Sequence, residues 1–202
     1  MTYRILLTGG GSGGHVYPLI AVAEELQKQA MQDGTTLELR FIGDDGFFQD
    51  TTAGVGMEFR RIFSPKWRRY FSVQNFIDIL KAPLGFLQAF FYIWRFMPDL
   101  VFSKGGYDSF LPALVARILA IPVVIHESVI VPGKANLWVG KWAKKIFLAF
   151  DGAKNHFKQD LVEVVGNHIR IGVMNITDKA AALTAFNLNQ SKPAILITGA
   201  SQ

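Results

Sequence analysis

The sequence predicts a doubly wound α/β domain with a parallel sheet. Short apolar runs alternate with helical patterns through most of the 202 residues. Parallel strands must be joined by crossover connections, which are right-handed and place helices on both faces of the sheet. Hydrophobic residues make up 50% of the chain, which supplies apolar surface for a sizeable core and excludes a disordered or low-complexity protein.

Composition narrows the classes of site and partner. The chain has no cysteine, which excludes disulfide bonds, thiolate chemistry and cysteine-ligated metals. The net charge of +5 favours an anionic partner without distinguishing nucleic acid, lipid headgroups and nucleotides. The first residues enter an apolar run without the basic segment and cleavage site of a signal peptide, so we expect a cytoplasmic protein.

The first strand and helix are predicted on either side of a glycine-rich turn. Arg4–Thr8 is a short apolar run, residues 9–14 are five glycines and Ser12, and Val16–Gln32 has helical periodicity. Later strands are predicted at apolar runs followed by turn residues or helical patterns: Thr36–Ile42, Glu58–Phe63, Leu100–Ser103, Val123–His126, Lys145–Phe150 and Leu161–Val165.

The last residues repeat the opening pattern. Pro193–Thr198 is an apolar run before a glycine turn, and it follows a helix predicted over Lys179–Leu188. A lone parallel strand needs a partner that it reaches through a crossover. We therefore expect residues 1–165 to form the domain, 166–190 a linker and helix, and 191–202 the first strand and glycine turn of a second, truncated domain.

The glycine-rich turn is the strongest site candidate. Gly9, Gly11 and Gly14 fit the dinucleotide-binding pattern, but Asp44 and Asp45 lie further along the chain than that pattern's acidic residue, which follows by about 20 positions. Glycines let the backbone approach a ligand closely, and the N–H groups at a helix start favour an anion. The alternative is a tight turn that binds no ligand.

His15 stands at the start of the helix that follows this turn. A helix N-terminus disfavours the imidazolium form, so His15 would stay neutral and could accept a proton as a general base. The alternative is a histidine that only caps the helix or packs on the turn.

Two further polar turns follow neighbouring predicted strands. Residues 103–109 and 126–133 contain glycine and charged residues, and the carboxyl ends of parallel strands meet at the edge where α/β sheets bind ligands. Glu127 would line this cleft, although an ion pair with Lys104 or Lys134 is the alternative. The four histidines show no metal-ligand spacing, and no Walker A sequence is present.

Basic and aromatic residues are interleaved between the third and fourth predicted strands. The basic residues are Arg60, Arg61, Lys66, Arg68 and Arg69, with Trp67 among them. Leu84–Trp94 is too short to span a bilayer, and Pro83 is expected to interrupt a longer helix. The combination suits an anionic membrane surface or single-stranded nucleic acid, and the alternative is a core helix beside a solvated basic loop.

Several motifs, taken in order, resemble the MurG-like glycosyltransferases of family 28, which have the GT-B fold. They are residues 9–18 (GGGSGGHVYP), 104–107 (KGGY), 121–127 (IPVVIHE), 132–136 (PGKAN) and 165–170 (VGNHIR). Residues 198–202 (TGASQ) resemble the opening turn of that family's second domain. The resemblance implies the Rossmann-like N-terminal half of a GT-B fold, truncated at the start of the second domain.

The resemblance also implies an activity and its partners. MurG-like enzymes transfer N-acetylglucosamine from UDP-GlcNAc to lipid I, forming lipid II in peptidoglycan synthesis, with inversion and without a bound metal or other cofactor. They act as peripheral proteins at the cytoplasmic face of the anionic inner membrane, with no nucleic-acid partner. The first domain would bind the lipid-linked acceptor, and the second would bind most of the nucleotide sugar.

The matched positions imply roles for individual residues. His15 matches the candidate general base that deprotonates the acceptor's sugar hydroxyl. Donor contacts are implied for Ser12, Gly13, Gly14, Arg170 and Ser201. Acceptor or cleft contacts are implied for Gly105, Gly106, Tyr107, His126, Glu127 and Asn136, and a membrane-facing position for Lys66, Trp67, Arg68 and Arg69.

The sequence departs from the family in three respects. Ser12 stands where the family commonly has threonine, which keeps the hydroxyl. The family's His-Glu-Gln-Asn becomes His126-Glu-Ser-Val129, which removes a side-chain amide from the cleft. With nearly all of the second domain absent, we expect this chain alone to bind UDP-GlcNAc poorly and to catalyse little. Two other hypotheses stand beside the enzyme: a lipid-saccharide or membrane-binding domain that pairs with a separate donor-binding chain, and a nicotinamide-dependent oxidoreductase that rests only on the glycine pattern.

Overall fold

The computed structural model describes residues 1–10, 12–44, 49–65, 73–170, 178–189 and 192–195, without the side chains of 73–80. Its strands are β1 (Thr2–Thr8), β2 (Thr36–Gly43), β3 (Glu58–Arg61), β4 (Leu100–Ser103), β5 (Val123–Glu127), β6 (Lys145–Leu148) and β7 (Val162–Val164). Its α-helices are α1 (Gly13–Gln32), α2 (Gln49–Ala53), α3 (Val73–Phe96), α4 (Tyr107–Ile118), α5 (Lys134–Val139) and α6 (Lys179–Ala185). Two short 3₁₀ helices, Asp151–His156 and Gln159–Leu161, lie between β6 and β7.

The strands of the described residues form one parallel sheet in the order β3-β2-β1-β4-β5-β6-β7. The strand order reverses at β1, so Thr8 at its carboxyl end pairs with Ile42 of β2 on one side and Ser103 of β4 on the other. Ligands of doubly wound folds bind in the crevice outside the strand ends at this reversal. The predicted parallel α/β fold is therefore confirmed.

Two cores cover the two faces of the sheet. Leu6 and Val101 face a larger core that includes residues of α3, α4 and α5. Leu7 and Phe102, the next residues along the same strands, face a smaller core formed with α1. Burial on both faces explains why these strands are continuous apolar runs in the sequence and do not alternate with polar residues.

Several elements end earlier than the sequence predicts. β3 ends at Arg61 and not at Phe63, because Arg61 pairs with the last residue of β2, Gly43. β6 ends at Leu148 and not at Phe150, because Leu148 pairs with the last residue of β5, Glu127. A strand cannot extend its ladder beyond its neighbour, so the apolar residues that follow belong to turns or loops.

The other boundaries differ by a few residues. β7 lies within the predicted Leu161–Val165, and α1 begins at Gly13, earlier than predicted. α6 ends at Ala185 and does not reach Leu188. The strand predicted over Pro193–Thr198 is wrong for residues 193–195, which are not in a strand, and residues 196–198 lie outside the described residues.

The expectation that Pro83 interrupts a helix is wrong. α3 runs for 24 residues with Pro83 inside it. Proline removes one backbone hydrogen bond, but Ala89, Ile93 and Phe96 of the following turns are buried in the larger core, and this packing favours a continuous helix. Among the described residues, no helix combines the length and hydropathy needed to cross a membrane.

Candidate functional site

Close packing explains some of the glycines in the turn after β1. A Cβ on Gly10 would lie 1.9 Å from Asp108 Oδ2 of α4, and a Cβ on Gly9 would lie 3.0 Å from Lys104 Cβ. Gly106 has φ of +87°, and its Cβ would lie 2.4 Å from the Gly10 carbonyl oxygen. These glycines let the turns after β1 and β4 touch, which is a structural requirement.

Close packing does not require a glycine at Gly14. It is exposed, and a Cβ there would meet only Ser12 Oγ, at an ordinary contact distance of 3.6 Å. The N–H groups of Gly13 and Gly14 open α1, where a helix has no internal acceptors for them. A small residue at an open helix start leaves room for an anion at these N–H groups. Gly11 of the predicted pattern lies outside the described residues.

His15 lies in the first turn of α1, with its Nδ1 3.2 Å from Ser12 Oγ. Burial, and then the positive charge of Lys104, lower the pKa of His15, while the negative charge of Glu127 raises it. The net effect is a lowered pKa, so the ring stays uncharged near neutral pH. The turns after β1, β4 and β5 thus converge on one imidazole, as expected from the strand order.

Lys104, at the end of β4, is buried in this cleft with 1% of its surface exposed. Its Nζ lies 2.8 Å from His126 Nδ1 and also donates a hydrogen bond to Ser128 Oγ. Burial lowers the pKa of Lys104 to about 8, and the charge of Glu127 opposes that shift. Sequence analysis considered Lys104 as an ion-pair partner of Glu127 and did not assign it to the site. The signal that could have identified it is its place between a buried strand and a Gly-Gly turn.

Glu127 is buried, and its carboxylate is directed at its own loop. Oε1 accepts from the Val129 N–H at 3.1 Å, and Oε2 accepts from the Gly133 N–H at 3.1 Å and from Asn136 Nδ2 at 3.0 Å. Of the described contacts, none is an ion pair with Lys104 or Lys134, so that alternative is not supported. Glu127 and Asn136 shape the loop of residues 128–133.

The remaining cleft glycine, Gly105, has φ of +86°, and its Cβ would lie 2.7 Å from Asn136 Nδ2. Tyr107 begins α4 beside it and is half-buried. The structure therefore brings the predicted acceptor residues to one edge: Gly105, Gly106, Tyr107, His126, Glu127 and Asn136. Asp108, which is fully buried beneath Gly10 and accepts from the Asp44 N–H at 3.3 Å, was missed by sequence analysis.

The segment after β7 returns to α1 and carries Arg170. His126 Nε2 lies 2.9 Å from the Gly166 carbonyl oxygen, at the start of this segment. Arg170 Nε lies 3.7 Å from Glu24 Oε1, and its guanidinium carbon lies 5.7 Å from the centre of the Tyr17 ring. Arg170 thus packs against α1, the helix that carries His15. Ser201, the other predicted donor contact, lies outside the described residues.

A stripe of exposed apolar side chains runs along α3, formed by Leu84, Leu87, Phe91 and Trp94. Their spacing puts them on one helix face, whereas Ala89 and Ile93 of the same helix are buried. Arg40, Arg60 and Arg95 line a shallow pocket with Phe91 and Tyr92 beside this stripe. The helix is thus part core and part exposed surface. The predicted membrane residues Lys66, Trp67, Arg68 and Arg69 lie outside the described residues.

Comparison with known proteins identifies the family. Residues 5–148 match the glycosyltransferase family 28 N-terminal domain. A UDP-N-acetylglucosamine–N-acetylmuramyl-(pentapeptide) pyrophosphoryl-undecaprenol N-acetylglucosamine transferase from Legionella pneumophila (strain Lens) is 37% identical over an alignment of 203 positions, which covers 100% of this chain and 54% of the relative. The protein of the same name from Borrelia hermsii is 34% identical over 200 residues, 98% of this chain and 54% of the relative. The chain thus spans about half the length of the curated relatives it matches.

Solved structures share the fold. Acinetobacter baumannii MurG has a TM-score of 0.65 and 24% identity, covering 89% of this chain and 47% of that one. Anabaena Alr3699/HepE in complex with UDP has a TM-score of 0.60 and 15% identity, covering 92% of this chain and 49% of that one. The expected N-terminal half of a GT-B fold is confirmed at the level of the fold.

Proposed function

The chain belongs to glycosyltransferase family 28, whose N-terminal domain it matches, and we propose that it forms the acceptor-binding half of an enzyme that transfers N-acetylglucosamine from UDP-GlcNAc to lipid I. The product is lipid II, an intermediate of peptidoglycan synthesis. The curated relatives carry this activity in their names. The family also accounts for the glycine pattern without a nicotinamide cofactor, so the oxidoreductase hypothesis loses its one support.

The observation that carries the proposal is an uncharged histidine at an open helix start. A catalytic base must be unprotonated at working pH and must stand beside the bound substrate. The lowered pKa of His15 meets the first condition, and its place among three convergent turns supports the second. In the tautomer whose Nδ1–H donates to Ser12 Oγ, the lone pair of Nε2 can accept a proton.

The transfer then proceeds as one displacement. His15 Nε2 takes the proton of the acceptor's sugar hydroxyl while that oxygen bonds to C1 of N-acetylglucosamine. The bond between C1 and the diphosphate oxygen breaks, and UDP leaves with the electron pair. Attack from the face opposite UDP inverts the anomeric carbon. The N–H groups of Gly13 and Gly14 at the start of α1 stabilise the charge of the diphosphate.

Other side chains have positioning roles in this proposal. Glu127 and Asn136 hold the 128–133 loop, and with Gly105, Gly106 and Tyr107 they form the acceptor side of the cleft. The guanidinium group of Arg170, which packs against α1, would contact the donor, and Ser201 would add a contact from the second domain. Val129, exposed at the position of the family's asparagine, presents an apolar group to the cleft in place of an amide.

The exposed stripe on α3 supports binding to the cytoplasmic face of an anionic membrane. A lipid-linked acceptor is found at the bilayer surface, and apolar side chains flanked by arginines insert there while the arginines meet anionic headgroups. Lys66, Trp67, Arg68 and Arg69 extend the basic and aromatic character next to α3 in the sequence. The stripe equally supports the second candidate function, a lipid-saccharide-binding domain that works with a separate donor-binding chain.

The decisive test replaces the base. In a full-length enzyme that begins with this chain, His15→Ala should lower kcat by about 10²–10⁴-fold, the usual contribution of a general base. Turnover is measured as transfer of labelled N-acetylglucosamine from UDP-GlcNAc to lipid I. His156→Ala, at an exposed histidine of a 3₁₀ helix, is the matched control. Equal kcat in the two variants would remove His15 from the mechanism.

A further inference from the structure

Lys104 is an unusual residue to find buried. Lysine is almost never fully buried unless its charge is paired, yet Lys104 is 1% exposed. Among the described residues, its hydrogen-bond partners are neutral side chains, His126 and Ser128. Ser128, which accepts a hydrogen bond from the ammonium group, is also where the sequence departs from the family's glutamine.

The chemistry of the ammonium group fixes the state of His126. An ammonium group has donors only, so His126 Nδ1, at 2.8 Å, must accept. The proton of the neutral ring therefore lies on Nε2, which donates to the Gly166 carbonyl oxygen at 2.9 Å. This network joins the end of β4, the end of β5 and the segment that leads to Arg170.

The same charge acts on three histidines. After burial, the charge of Lys104 is the next cause that lowers the pKa of His15, His126 and His168. Glu127 opposes it at His15, and its carboxylate is held by its own loop. Asp108 of α4 lies beneath the turn that precedes His15. Lys104 packs against the turn that precedes His15, since its Cβ would lie 3.0 Å from a Cβ on Gly9, and its charge adds to burial in disfavouring the protonated ring of His15.

We propose that Lys104 is a positioning residue for the transfer reaction: its buried ammonium group holds His126 in a single tautomer and, packed against the turn that precedes His15, adds to burial in favouring the neutral form of His15 that can act as a base. The catalytic meaning of this inference rests on the proposed function. The two effects on the histidines do not, because they can be measured without turnover.

The test is a titration of the histidines in this chain by NMR. In Lys104→Met, which removes the charge at similar length, the pKa of His15 should rise, and the ¹⁵N pattern of His126 should change from the single Nε2–H form to a mixture of tautomers. Lys104→Arg keeps the charge and should leave the pKa of His15 as in the wild type. An unchanged pKa of His15 in a folded Lys104→Met variant would overturn the inference.

The wild-type chain supplies a second measurement that needs no folded variant. Because the pKa of Lys104 is about 8, its deprotonation should appear in the His126 ¹⁵N signals as an alkaline transition with a midpoint near that pH. Signals that stay constant from pH 7 to 10 would contradict the hydrogen bond on which the inference depends.

Kinetics separate this inference from the proposed function. In the full-length enzyme, the acid limb of the kcat/KM profile should move to higher pH in Lys104→Met and return in Lys104→Arg, because a base with a raised pKa is protonated at a higher pH. If the NMR shifts occur and the acid limb stays in place, Lys104 acts on His15 as described, but His15 is not the base. The failure then belongs to the proposed function.

Discussion

Gly106 shows how tightly individual residues are specified at the cleft. Its backbone lies in the left-handed region with φ of +87°, and its Cβ would stand 2.4 Å from the Gly10 carbonyl oxygen. Gly106→Ala should therefore lower the free energy of unfolding by at least about 2 kcal/mol, since both backbone strain and a clash with backbone must be relieved. Urea denaturation of the purified chain measures this loss.

Gly133 provides the matched control for that substitution. It precedes α5 with φ of −65°, and a Cβ there would meet nothing within 4 Å. Gly133→Ala keeps the N–H that bonds Glu127, so it should change the free energy of unfolding by less than about 1 kcal/mol, on the stabilising side. Equal effects of the two substitutions would mean that the turns after β1 and β4 are not in contact.

The side chains of the cleft could be predicted only in part from the sequence. The glycines, His15 and Glu127 could be found because each follows directly on an apolar strand or opens a helix. The Lys104 network could not, because a sequence pattern places strand ends at one edge without giving the rotamers that join them. The burial of Asp108 beneath Gly10 depends in the same way on the contact between two turns that are far apart in the sequence.

Helix α3 illustrates what element-level patterns can and cannot predict. Its aromatic residues suggested a core helix, or a surface for a membrane or single-stranded nucleic acid. The helix has a core face with Ala89 and Ile93 and an exposed apolar face with Leu87 and Trp94, and binding of a membrane by the exposed face remains a prediction. The predicted interruption at Pro83 is wrong because the local free-energy cost of a proline is smaller than the gain from burying the turns that follow it. Tertiary packing decides such cases, and a linear sequence does not show it.

The exposed stripe should make α3 the main membrane contact. Leu87→Ser combined with Trp94→Ser should weaken binding to phosphatidylglycerol vesicles by about tenfold or more, because burial of each such side chain in an apolar phase contributes about 1.5–3 kcal/mol. Co-sedimentation with vesicles measures the partition. Binding by the wild-type chain should also weaken as salt rises, since the flanking arginines act through screened charge.

A control for surface hydrophobicity is available on another helix. Met31 near the end of α1 is 82% exposed, more than either Leu87 at 62% or Trp94 at 57%. Met31→Ser should leave vesicle binding as in the wild type. If Met31→Ser and the α3 variant bind alike, the stripe has no special part in membrane association.

The architecture of the whole molecule was the most predictable level. Alternating apolar runs and helical patterns require crossovers, and crossovers of one hand lead to a parallel sheet with helices on both faces. Strand ends were less predictable, because β3 and β6 end where their neighbours end and not where their own apolar residues end. The predicted division into 1–165, 166–190 and 191–202 remains a prediction.

Acid stability of the whole chain should depend in part on His126. Burial, and then the charge of Lys104, lower the pKa of His126 from 6.5 to about 3. Between these values the unfolded chain binds a proton that the folded chain does not, so folding stability is retained above pH 6.5 and lost as the pH falls toward 3. The contribution to the slope is about 1.4 kcal/mol per pH unit.

His126→Asn should remove that contribution while leaving an oxygen to accept from Lys104. Urea unfolding at several pH values between 7 and 4 gives the slope of unfolding free energy against pH, which should be shallower in this variant than in the wild type. His156→Asn, at an exposed histidine, should keep the wild-type slope. Parallel slopes for wild type and His126→Asn would show that His126 takes up its proton without unfolding.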